Sequence, residues 1–158
     1  MKKWGFMMIS MFGLVACNAP VPVEKPQPPE IVLTLPTLIE SGFVRLVQNP
    51  NQFIDAQRVK KDPLNPNQVY FDVVENLEKA VYAYPEQPER YAKSLRQVYF
   101  VNCESHGLAL VSATYHADFW GKGEASPTQI QHLSLAKHYM HSPHKILGQV
   151  ICKGIYRN

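Results

Sequence analysis

Leu95-Arg96-Gln97-Val98-Tyr99-Phe100-Val101-Asn102-Cys103 is a long β-prone run. Side chains alternate between the two faces of a strand, so Leu95, Gln97, Tyr99, Val101 and Cys103 share one face. Gly107 turns the chain. Leu108 to Trp120 then returns, with Leu108, Leu110, Ser112, Thr114 and His116 alternating against Ala109, Val111, Ala113, Tyr115 and Ala117. Upstream, Phe43 to Val47 lies between the turn residues Ser41-Gly42 and Gln48-Asn49-Pro50-Asn51 and reads as the first strand. Phe53 to Val59 reads as the second. Val69 to Val74 and Ala80 to Tyr84 follow, and Glu75 to Lys79 joins them as a hairpin connection or a bulged extension. Pro85 to Arg90 breaks the pattern. Downstream, Gly121 to Gln129 reads as a polar loop and His132 to Ala136 as a short strand. Lys145 to Cys152 reads as a C-terminal helix, because Leu147, Val150 and Ile151 recur at helical spacing with Pro143 near the start. A β-rich domain closed by one helix is expected.

The 158 residues, 46% hydrophobic and 18% charged, suffice for one ordinary core and exclude a second large domain. Lys and Arg number 16 against 13 Asp and Glu. Lys2 and Lys3 belong to a targeting segment, and without them the balance is nearly even. Nucleic-acid binding scales with the phosphates neutralised, so it loses its main support.

Lys2 and Lys3 precede an uncharged, largely apolar run, Trp4 to Ala16. That length suits a signal-peptide core and is too short to cross a hydrocarbon layer of ~30 Å as a helix. The run ends in Leu14-Val15-Ala16-Cys17, which resembles the lipobox of bacterial lipoproteins. Residues 1–16 are therefore expected to be removed, and Cys17 to carry the lipid and become the new N-terminus. Several acyl chains at ~0.8 kcal/mol per buried CH₂ make an effectively permanent anchor. Asn18 at the next position resembles the outer-membrane sorting pattern. Pro20, Pro22, Pro26, Pro28, Pro29 and Pro36 then suit neither a helix nor a central strand. Residues 17–37 read as the lipidated cysteine and a spacer, and 38–158 as the folded domain.

With Cys17 assigned to lipid, Cys103 and Cys152 remain, and an even pair in an oxidising envelope reads as one disulfide. Their separation lacks the CxxC spacing of a metal site. Closing a loop of about 50 residues should stabilise the fold by roughly 4 kcal/mol. No catalytic residues are assigned: GxSxG and phosphate-cradling loops are absent and the carboxylates are scattered. An enzyme is not expected. His132, His138, His141 and His144 fall late in the chain and could bind haem or a metal, although Ser142-Pro143 interrupts a single helical face. No metal ligands are assigned. Arg90, Tyr91, Lys93 and Arg96 place three cations and an aromatic ring in one short segment. They read either as a partner-binding rim or as a solvated strand edge protected from unwanted pairing.

Ser41 to Val47, Phe71 to Leu77, Val81 to Glu86, Arg90 to Gln97, Asn102-Cys103, Asp118 to Gly123 and Gln149 to Cys152 together resemble the surface-adhesin protein E family of Gram-negative lipoproteins. The resemblance runs from about Ser41 to Cys152. It implies an α+β domain: an antiparallel sheet of about six strands with a C-terminal helix tied to it by the disulfide, and a tendency to dimerise. It also implies an outer-membrane adhesin binding host matrix or serum proteins of the vitronectin, laminin and plasminogen class, with haem binding also attributed to the family. The segment with Arg90, Lys93 and Arg96 matches the part implicated in host-protein binding. The alternative is an envelope lipoprotein with a structural role, or one that binds haem or a metal through the late histidines.

Overall fold

The structure, a computed structural model, describes residues 28–47, 49–105, 107–130, 134–135 and 143–155. Expectations for residues 1–16, Cys17, His132, His138 and His141 fall outside these residues, as does the side chain of His144. Six strands form one antiparallel sheet in chain order: β1 (Phe43–Leu46), β2 (Asn49–Lys61), β3 (Gln68–Val81), β4 (Ala92–Asn102), β5 (Gly107–Asp118) and β6 (Lys122–Ile130). A two-residue strand, β7 (Ser134–Leu135), pairs with β5 beside this path. Helix α1 (Pro143–Val150) continues into a π-helical turn, Ile151–Ile155.

The alternation seen in Leu95 to Cys103 builds the core. Tyr99 pairs with Phe71 and Val101 with Val69, and on this face both pack with Ile54, Val73 and Leu108 beneath Leu147 and Ile151. The helix comes close to the sheet at Gly148, where a Cβ would lie 3.1 Å from a Val101 methyl. Burying these apolar side chains stabilises the domain by about 1.5–3 kcal/mol each. Cys103 and Cys152 close the arrangement: they form the expected disulfide, with Cα atoms 5.6 Å apart.

Three expectations change. Gly121 to Gln129 is not a loop, because β6 begins at Lys122 and pairs with β5 from Asp118 back to Ala113. Its Gly, Pro and Ser content obscures an edge strand, where such residues are tolerated. Val69 to Val74 and the start of Ala80 to Tyr84 are one strand, β3, whose register shifts between Asn76 and Val81, so Glu75 to Lys79 is the bulged extension. In β5, Val98 faces Ser112 while Tyr99 faces Leu110, so Val111 is an extra residue. This bulge sends Leu108 and Leu110 to the helix face but Ser112, Thr114 and His116 to the opposite one.

The end of the segment read as a spacer lies against the sheet. The Leu33 N–H donates to the Glu78 carbonyl and the Ala80 N–H to that of Ile31, at 2.8 Å each. The Tyr82 hydroxyl donates to the Pro29 carbonyl at 3.0 Å, and Lys79 pairs with Glu30 at 2.9 Å. Proline leaves carbonyls free to accept, so a Pro-rich segment can still dock at a bulge.

Candidate partner-binding site

Arg90, Tyr91, Lys93 and Arg96 do not form one rim. Arg90 ends the turn after Tyr84, where the Gln87 N–H donates to the Tyr84 carbonyl and the Arg90 N–H to the Gln87 carbonyl. Its guanidinium lies 5.0 Å from the centre of the Tyr84 ring and pairs with Glu124 of β6. The Tyr84 hydroxyl donates to the Glu124 carbonyl at 2.7 Å. Burial pushes the Tyr84 phenol above its usual range; Arg90 opposes this, while Glu124 and Asp118 add to it. Tyr91 sits half-buried beside Tyr82, ring centres 6.4 Å apart. Lys93 reaches Asp118 at 3.4 Å. Arg90 and Lys93 keep 31% and 33% of their side chains exposed, so both remain touchable although both are paired.

Arg96 belongs elsewhere, and its reading as a rim residue is corrected. Its side chain is 12% exposed and lies between Asp55 of β2 at 3.0 Å and Asp72 of β3 at 2.7 Å. Its third contact is the Trp120 carbonyl, at 3.2 Å. Arg58, 63% exposed, approaches the same carboxylates at 3.8 and 3.6 Å. A planar guanidinium donates in several directions at once, which suits it to two buried carboxylates and a carbonyl.

The turn over this network is tightly specified. Trp120 has φ 66°, a left-handed conformation costly for a side chain of its size. The Trp120 N–H donates to the Asn76 side chain at 2.9 Å, and its ring packs on Phe53 and Phe43 with centres 4.6 and 5.1 Å away. Gly121 follows with φ 64°, and a Cβ there would lie 2.5 Å from the Arg96 Nε. The Ser94 hydroxyl donates to the Asp118 carbonyl and accepts from the Gly121 N–H. Beside it, His116 has a buried Nδ1 with no hydrogen-bond partner. Burial lowers its pKa; the Gly123 backbone opposes this, while Arg96 and Arg58 add to it.

Sequence reasoning missed Asp55, Asp72, Asn76 and Ser94, all buried. The available signal was polar residues inside β-prone runs, as in Phe71-Asp72-Val73-Val74. Among the described residues, no group of three or more His, Cys, Asp or Glu could hold a metal ion, and no helix is long and apolar enough to cross a membrane.

The family model for surface-adhesin protein E matches residues 43–153, which include every strand from β1 to β7, the Trp120 turn and both cysteines. The chain belongs to the surface-adhesin protein E family. Surface-adhesin protein E of Haemophilus influenzae strain NTHi 3655 is 40% identical over 123 residues, covering 78% of this chain and 74% of that protein. The protein of strain Rd is 38% identical over the same shares. A solved structure of Haemophilus influenzae protein E superposes with a TM-score of 0.66 at 39% identity, covering 78% of this chain and 92% of the other. Another, from non-typeable Haemophilus influenzae, gives 0.67 at 38% identity and covers 80% and 85%. The family resemblance read from the sequence and the expected α+β fold both hold.

Proposed function

We propose that this protein is a surface adhesin held at the outer membrane by lipid on Cys17, which binds host matrix or serum proteins of the vitronectin, laminin and plasminogen class. The observation that carries this reading is family membership across residues 43–153, with relatives named as surface adhesins. A homodimer is part of the proposal. The partner-facing residues proposed are Arg90, Tyr91 and Lys93, with Arg96 supporting the fold from beneath. Because both exposed cations already have carboxylate partners, this face offers hydrogen bonds and aromatic area more than free charge. Long-range steering is correspondingly small.

The test is binding of the purified mature domain to immobilised vitronectin, laminin and plasminogen at two salt concentrations. An Arg90→Ala, Tyr91→Ala, Lys93→Ala variant is expected to bind more weakly at an unchanged melting temperature, with little salt dependence in the parent. Equal binding by parent and variant removes these residues from the site. Absence of parental binding to all three proteins overturns the adhesive reading.

A further inference from the structure

The sheet ends at β1, and an apolar groove of about 590 Å³ runs beside that edge. Val44, Leu46 and Val47, Ile146 and Val150 of α1, and Tyr99 are among the residues that line it. Val44 is 50% exposed, Val47 fully exposed, Ile146 54% and Val150 46%. An apolar groove along an open edge strand has the form that receives an added strand, whose main chain bonds to the edge while alternate side chains enter the groove.

The pairing of β1 with β2 shows which backbone groups are free to bond. The Ala56 N–H donates to the Gly42 carbonyl, and Val44 lies opposite Ile54. Antiparallel ladders alternate, so Val44 exchanges bonds with Ile54 while the N–H and carbonyl of Arg45 point outward, away from β2. Arg45 also lines the groove, but alternation with Val44 turns its side chain towards Phe53, its partner on β2, with the guanidinium 5.7 Å from the centre of that ring. Among the described residues it has no carboxylate within ion-pair distance. A strand laid along β1 would therefore present two different faces: apolar side chains into the groove and, opposite Arg45, a residue that gains most by being acidic. Pairing of two copies centred on Arg45 sets guanidinium against guanidinium, which disfavours that arrangement.

We propose that the β1 edge and its groove bind an extended peptide segment of a partner protein, with apolar residues at alternate positions and a carboxylate between them opposite Arg45. This surface is separate from the Arg90, Tyr91 and Lys93 face, and its test needs no host protein. The probe is a capped seven-residue peptide of alternating valine and threonine with glutamate in place of the central threonine; its control carries lysine there. Binding is followed by amide shifts in ¹⁵N-labelled mature domain. The glutamate peptide is expected to perturb Val44 to Val47 and Val150, and to bind about threefold to tenfold more tightly than the lysine peptide. Arg45→Glu should reverse that order. Val150→Asp, at an exposed helix position, should weaken both peptides while the melting temperature holds. The proposal is overturned if neither peptide perturbs β1, if Arg45→Glu leaves the order unchanged, or if the same amides shift with protein concentration alone, which would assign the edge to a second copy.

Discussion

The two faces of the sheet are buried by different means. On the helix face, Phe71, Tyr99 and Val101 meet Leu147 and Ile151, and apolar area does the stabilising. On the other face, Arg96, Asp55, Asp72, Asn76 and Ser94 lie under the Trp120 turn, and stability depends on every polar group having its partner. An apolar core loses stability in proportion to what is removed. A charged one tolerates complete replacement better than partial removal.

That contrast gives the largest expected effect. Arg96→Ala leaves two carboxylates buried without their main partner and should cost about 3–5 kcal/mol in denaturant unfolding. Replacing the whole network, with Arg96→Met, Asp55→Leu and Asp72→Leu together, should return stability to near the parent's. A triple variant less stable than Arg96→Ala would break the contrast. On the helix face, Cys152→Ser opens a loop whose cysteines are 49 apart in sequence and should cost about 4 kcal/mol in the chain-entropy model, read as a fall in melting temperature.

A pH titration sharpens the comparison further. Burial lowers the His116 pKa in the folded protein, so below the ordinary value of 6.5 the unfolded chain binds protons that the native state resists. Stability should therefore be undiminished above that pH and fall as pH drops through 6.5 towards the lowered native value. A His116→Gln variant should show a shallower fall, checked by unfolding midpoints between pH 7.5 and 5 (about the range in which imidazoles titrate). Smallest of all, Arg90→Ala and Lys93→Ala break exposed pairs and should each change stability by less than about 1 kcal/mol.

The helix face was the legible one. Leu95 to Cys103 alternates cleanly, and Tyr99, Val101 and Cys103 lie against the core as that pattern requires. The opposite face was hidden for physical reasons. Val111 shifts the alternation by one residue, so Ser112, Thr114 and His116 cross to the other side without any change in composition. The strand Lys122–Ile130 looks like a loop because an edge strand needs little apolar content. Arg96 resembled its neighbours Arg90 and Lys93 in sequence, but its environment is set by Asp55, 41 residues away, and by Asp72, 24 away. Local spacing carries no trace of such contacts. The cysteine pairing was legible because, with Cys17 assigned to lipid, only one intrachain pair remained.

As a member of the surface-adhesin family, this domain works as an adhesin at the cell surface. The most direct test of that role is attachment of intact cells carrying the full chain to surfaces coated with vitronectin, laminin or plasminogen, beside otherwise identical cells without it. Cells carrying the chain should attach more strongly to at least one coating, and Arg90→Ala, Tyr91→Ala and Lys93→Ala together should reduce that attachment. Equal attachment with and without the chain on all three coatings would contradict the adhesin role.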